Sequence, residues 1–300
     1  MLELTFDESE LTPVNKQVTT YNGLYEIEMS EYRKVDFLAN SELQTFTKNP
    51  SSYVWSKTAP SDPIKATSAD FGTALHTSLL EPELYEDTVL VSSTKGRTAQ
   101  AFIDFQKANA DKLCLTDAEN NQIKIMSESA KCDPMFNRIL DAKGICEASI
   151  FVKDPRTGLD LKIRPDKIIT ACNPPLFCDV KSAASIDEWR NDRTFINPLF
   201  NFGYGFTAAY YLYVGSIFYG VELKDYNFLV VSKSAMLGKY PVSVFTISKD
   251  ELIELGFWDE MLDALDDFAK TKHSDKWCHY EQFPVFNIYK DDSVDVKFSD

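Results

Sequence analysis

The stretch ICEASIFVKDPRTGLDLKIRPDKIITACNPPLFCDVK, residues 145–181, decides the fold. Cys146, Ala148, Ile150 and Val152 alternate with Glu147, Ser149, Phe151 and Lys153, which is the two-residue period of a strand. Asp154-Pro-Arg-Thr-Gly158 supplies turn chemistry: a side chain able to bond its own backbone, a proline with φ already set, and a glycine open to positive φ. Leu159, Leu161 and Ile163 then alternate with Asp160, Lys162 and Arg164, so a hairpin is predicted. Two further strands are expected, over 166–170 and 176–181, parted by Cys172-Asn-Pro-Pro175.

Outward from this block the period lengthens to that of helices. Upstream, Ser41-Glu-Leu-Gln44 has capping-box form and predicts a short helix, with Leu43 and Phe46 inward, that stops near Pro50. Phe71, Leu75 and Leu79 are spaced by four and predict a helix from Ser68 to Pro82. Residues 98–109 read as helix, and Thr116-Asp-Ala-Glu119 is a second capping box leading to Ile123 and Met126. Asp133-Pro134 reads as N-cap and first helical residue, with Gly144 as the stop. Downstream, Ser185-Ile-Asp-Glu188 opens a helix, and Tyr204 to Tyr219 is apolar enough to be a buried one. Strands are expected over 226–232 and 242–247. Ser248-Lys-Asp-Glu251 opens a single amphipathic helix with Trp258, Met261, Leu262, Leu265 and Phe268 on one face. The order predicts an α/β fold with a mixed central β-sheet flanked by helices and a helical N-terminal region. No linker divides the chain, so residues 1–300 are taken as one domain. Within it, 1–65 pack on the core and 248–300 form an acidic C-terminal helix and tail.

Composition narrows the function classes. Of 300 residues, 44% are hydrophobic, 13% aromatic and 26% charged, which is globular and excludes a mainly disordered chain. No apolar run nears the ~18 residues of a membrane helix. Acids outnumber bases 46 to 31, a net charge of -15, which argues against a broadly basic nucleic-acid coat. The acid is uneven. Residues 250–300 hold 14 acids and 5 bases, whereas 153–193 hold 8 bases and 7 acids. The six cysteines include no C-x-x-C pair, so no zinc ribbon or iron–sulfur clip is suggested. The N-terminus lacks the pattern of a signal peptide, so a cytoplasmic protein with reduced thiols is expected.

Arg164-Pro165-Asp166 and Asp179-Val180-Lys181 are the residues that carry chemistry. Two carboxylates at the ends of neighbouring strands can face one point, and hard oxygens of that kind hold magnesium, to which Val180 can add its backbone carbonyl. Lys181, two residues after Asp179, projects from the same strand face. Its ammonium can position or help deprotonate a water, or stabilise charge on a phosphate, so the set has the parts for phosphodiester hydrolysis. The D/E-x-K triplet alone is unspecific, because Asp160-Leu-Lys162, Glu222-Leu-Lys224 and Asp295-Val-Lys297 also occur. The copy at 179 differs: it ends an apolar strand, follows the chain's one Pro-Asp dipeptide and precedes a capped helix.

The chain resembles the exonuclease VIII family of phage-type recombination nucleases, within the PD-(D/E)xK superfamily. Phe71-Gly-Thr-Ala-Leu-His76-Thr-Ser-Leu-Leu-Glu-Pro-Glu83 is similar to that family's G-x-x-x-H-x-x-L-L-E-P-E helix. Ile145-Cys-Glu147, Arg164-Pro-Asp166, Asp179-Val-Lys181-Ser-Ala and Lys239-Tyr-Pro-Val-Ser-Val-Phe resemble its strands. Tyr25-Glu-Ile, Ser41-Glu-Leu and Asn49-Pro-Ser-Ser-Tyr53 resemble its leading segment, so the similarity runs from about residue 22 to 290.

The resemblance implies a magnesium-dependent exonuclease, with manganese substituting, that digests double-stranded DNA ends 5′ to 3′. The 3′ single-stranded tails would then serve a single-strand annealing protein, and a homo-oligomeric ring would surround the DNA. It implies His76, Glu147, Asp166, Asp179 and the Val180 carbonyl as metal ligands, with Lys181 as base or charge stabiliser. Lys95 and Arg97, in the basic loop Ser93-Thr-Lys-Gly-Arg-Thr98, and Lys162 and Arg164 are candidate phosphate contacts. Thr207 stands where the family has glutamine in Tyr-x-x-Gln. The shorter threonine cannot reach the same groups, which bears on substrate positioning rather than on metal binding. A DNA-end-binding module that no longer cleaves, an acidic interaction protein and an endonuclease of the same superfamily are the competing expectations.

Overall fold

The computed structural model describes residues 23–60, 63–190 and 196–277. The tail from residue 278, with Cys278 and His279, lies outside them, as does Arg193. The chain begins β1 (Gly23–Tyr25), α1 (Met29–Lys34), β2 (Leu38–Ala39), α2 (Asn40–Lys48) and α3 (Pro50–Thr58). Next come α4 (Pro63–Leu80), α5 (Pro82–Thr88), β3 (Val89–Ser92), α6 (Gln100–Ala108) and β4 (Leu113–Thr116). Helices α7 (Asp117–Cys132) and α8 (Pro134–Asp141) precede a run of five strands: β5 (Gly144–Cys146), β6 (Ser149–Lys153), β7 (Asp160–Ile163), β8 (Lys167–Ile169) and β9 (Leu176–Ala183). The chain then forms α9 (Asp187–Arg190), α10 (Ile196–Asn201), α11 (Tyr204–Tyr219), β10 (Asp225–Ser232), β11 (Val242–Ser248), α12 (Lys249–Glu254) and α13 (Phe257–Ser274).

The fold is α/β with mixed sheets, but the expected single central sheet is two. A five-stranded sheet runs β11-β10-β9-β8-β5, and a four-stranded sheet runs β1-β6-β7-β2; β3 and β4 form a separate parallel pair. The cause lies in the deciding stretch. Cys146 pairs with Lys167 and Ile150 with Ile163, so β5–β6 and β7–β8 follow one antiparallel register. The hairpin is broken in its middle, where Glu147 takes a left-handed φ of 52° and Pro165 has no N–H to give the ladder. The two halves therefore enter different sheets. The Asp154–Gly158 turn forms as expected, with Asp154 Oδ1 accepting from the Arg156 N–H at 3.0 Å.

The five-stranded sheet is covered on both faces. Phe177, Tyr226, Phe228 and Val230 face a core built with α11, α12 and α13, whereas Cys178, Val180, Leu229 and Val231 face one built with α4, α7 and α8. Strand β10, second from the edge, is thus buried on both faces; it runs parallel to the central strand β9 and antiparallel to β11. Thr116, Asp133 and Ser248 cap their helices as predicted.

Two local expectations are corrected. The helix near residue 41 starts at Asn40, because the Glu42 carboxylate accepts the Ala39 N–H at 2.8 Å; Gln44 is thereby free to reach another element. The helix opening at Ser248 is two helices, α12 and α13, broken where Gly256 takes φ 83°. Among the described residues no helix is long and apolar enough to cross a membrane.

Candidate metal centre

The break in the hairpin assembles the site. One step beyond the Cys146–Lys167 pair stands Glu147 opposite Asp166, and the Glu147 N–H bonds the Asp166 carbonyl at 3.0 Å. One step beyond the Lys167–Cys178 pair stands Asp166 opposite Asp179. Three neighbouring strands therefore deliver one acid each at the same level: Glu147 just past β5, Asp166 just before β8, and Asp179 inside β9 rather than at the strand end expected for it. His76 arrives from α4, on the opposite layer from α11, and its Nδ1 lies 3.4 Å from Asp166 Oδ2. Ligand atoms of His76, Glu147 and Asp166 all lie within 4.8 Å of one another. Asp179 stands beside this trio, not within it, and its Oδ2 is ion-paired with Lys181.

Each group is held from behind. Asp166 Oδ2 accepts the Val180 N–H at 2.6 Å. The N–H and C=O of one strand residue point to the same edge, so Val180 turns its polar backbone edge towards Asp166. Arg164 braces Glu147: Nε donates to Glu147 Oε2 at 2.9 Å, while Nη1 donates to the Ile27 carbonyl at 2.6 Å and Ser149 Oγ at 3.0 Å. Tyr211 donates to the Arg164 carbonyl at 3.4 Å, and the Lys181 ammonium lies 5.4 Å from the Tyr204 ring centre.

The electrostatics are those of acids short of positive charge. Burial pushes the Asp166 carboxyl up to about 7, with the charges of Asp179 and Glu147 adding to the rise against His76 and Lys181. Burial by itself would lower the Lys181 ammonium, but Asp179 and Asp166 outweigh it and hold the group above the ordinary lysine range. Lys181 therefore stays charged at neutral pH, which favours charge stabilisation over the role of base. An imidazole and two carboxylates with their ligand atoms within 4.8 Å of one another suit a hard divalent cation of the magnesium or manganese kind. Such an ion would also relieve the crowding of the carboxylates.

The expected phosphate contacts fare differently. Lys95 is exposed. Lys162 is corrected from phosphate contact to interior support. It is 3% exposed, and its Nζ donates to the Tyr32 and Val35 carbonyls. Arg97 is engaged by Glu119 at 2.7 Å and Asp70 at 3.3 Å, and Arg164 by Glu147. Thr207 Oγ1 accepts from Asn40 Nδ2 at 2.9 Å and Gln44 Nε2 at 3.1 Å. The Arg164 brace and the tie of Asn40 and Gln44 to Thr207 carry no sequence signal, because Arg164 lies 15 to 137 positions from its partners and Thr207 lies 163 to 167 from its own. Comparison with protein-family models and with curated protein sequences gives no significant match.

Proposed function

We propose that the protein is a divalent-metal-dependent deoxyribonuclease with a PD-(D/E)xK, restriction-endonuclease-like core, and that it digests linear double-stranded DNA from its ends. The observation that carries this proposal is the alignment of Glu147, Asp166 and Asp179 at one level of three neighbouring strands, with His76 and Lys181 beside them. His76, Glu147 and Asp166, with the Val180 carbonyl, would hold magnesium or manganese, and Asp179 would complete the set from the adjacent strand. The bound ion supplies Lewis-acid polarisation of the scissile phosphate and activation of water. Arg164 keeps Glu147 oriented. Lys181, kept cationic by its two acids, stabilises the negative charge that develops during in-line displacement. Asp179 holds that ammonium in place.

The 5′ to 3′ polarity, the ring, the annealing partner and a cytoplasmic setting are proposed on the family resemblance alone. The test is to incubate the protein and magnesium with linear and covalently closed circular duplex. Loss of only the linear form supports an exonuclease, nicking of the circle makes it an endonuclease, and loss of neither overturns hydrolysis. Asp179→Ala is expected to lower digestion by about 100-fold or more while circular dichroism stays unchanged; undiminished digestion would remove the site assignment.

A further inference from the structure

Immediately before α11, two large apolar side chains stand in water: Phe202 is 60% exposed and Phe200 53% exposed. Phe200 leans on Phe257, with ring centres 4.5 Å apart. Phe202 contacts Tyr204 at 5.6 Å, and Tyr204 in turn lies 5.4 Å from the Lys181 ammonium. A line of groups thus leads from the candidate centre to the surface, ending in a phenyl ring within about 11 Å of Lys181 Nζ. That is comparable to the reach from one phosphate of a nucleic acid to the base of a neighbouring nucleotide.

The ring is held by a built turn. Gly203 takes φ 67°, and its carbonyl accepts from the Thr207 N–H and Oγ1, both at 3.0 Å, and from Gln44 Nε2 at 3.5 Å. A Cβ at Gly203 would stand 2.5 Å from Gln44 Oε1, so the turn is fitted to a glycine. An exposed ring on a fixed support loses little freedom when another flat ring covers it. Every nucleobase presents a π-face, so such a platform accepts any sequence.

We propose that Phe202 stacks on an unpaired nucleobase of the DNA strand whose phosphate lies at the metal centre. This rests on the nuclease reading of that centre. The occupant is argued from continuity: the ring adjoins a lysine suited to a polyanion, through a tyrosine that touches both. A second copy of this chain is the competing occupant.

The experiment is equilibrium binding, in calcium, of a single-stranded oligodeoxynucleotide carrying 2-aminopurine and phosphorothioate links that resist cutting; absence of wild-type binding overturns the proposal. Wild type, Phe202→Ala, Phe202→Leu and Phe202→Trp are compared, with light scattering for mass and thermal melts for folding. Wild type is expected to quench the probe. Phe202→Ala and Phe202→Leu should bind about 5- to 100-fold more weakly and lose the quenching, while Phe202→Trp keeps both. Alanine-variant binding within twofold of wild type overturns the proposal, as does full binding by the leucine variant. A fall in oligomer mass with unchanged binding per subunit assigns the ring to a subunit contact and also overturns it. The two readings fail separately. Digestion by wild type with unaltered Phe202→Ala binding removes stacking alone, whereas Phe202-dependent binding without digestion removes hydrolysis alone.

Discussion

Asp166 meets three demands at once: its backbone continues the hairpin register, its Oδ2 takes the Val180 N–H, and its carboxyl faces His76. Burial then favours the protonated acid, whose ordinary value near 3.8 is pushed up to about 7. The folded, metal-free protein holds a proton there that the unfolded chain has released. Stability should therefore fall as pH rises from about 4 through about 7, by at most about 4 kcal/mol. Denaturant melts of wild type and Asp166→Asn in EDTA test this. The variant should show a flatter profile over that window, and identical profiles would refute the buried-acid account. Arg164 is the second residue with a measurable load. Arg164→Met leaves Glu147 and the Ile27 carbonyl without their donor, at a cost of about 2–3 kcal/mol, and should weaken manganese binding in titration calorimetry. Asp166, Asp179 and Lys181 could be singled out from their local strings, whereas His76 and Glu147 entered only through the family resemblance. The Arg164 brace was not legible, since nothing in a linear string ties its guanidinium to a carbonyl at Ile27.

Strand and helix boundaries followed local chemistry closely, as the capped starts of α7, α8 and α12 and the span of α11 show. What local chemistry did not disclose was the splitting of elements. Period-two alternation from Cys146 to Lys153 is unbroken in the sequence, yet the chain bends at Glu147 because its two halves find separate partners in β8 and β7. Close backbone approach supports the bend: a Cβ at Gly144 would stand 2.3 Å from the Ile168 carbonyl oxygen. Gly144→Ala should force β5 away from β8 and destabilise the fold by about 1–3 kcal/mol, read from urea midpoints. It should also weaken metal binding, because Glu147 follows β5. At the α12–α13 junction, Gly256→Ala places a side chain at φ 83° and should cost about 1–2 kcal/mol with no effect on metal affinity.

For the whole molecule, the net charge of -15 favours the approach of a cation, which suits the proposed metal centre. Magnesium or manganese should raise the melting temperature of wild type in proportion to the logarithm of its concentration above Kd. His76→Ala and Asp166→Asn should lose most of that rise, and an equal rise in both variants would place the ion elsewhere. The sequence by itself determined the α/β class, the extent of elements such as α7, α8 and α11, and the acid–lysine set of Asp166, Asp179 and Lys181, because capping, alternation and turn chemistry act over a few residues; it did not disclose β1 to β4, α1, α3, α5 or α10. Only the tertiary structure decided that one register would bring Glu147, Asp166 and Asp179 level, that the sheet would divide at Pro165, and that Lys162 would be spent inside while Phe202 stayed outside. Those outcomes depend on which distant strand or helix each segment meets, and burial against a partner is not encoded at any single position.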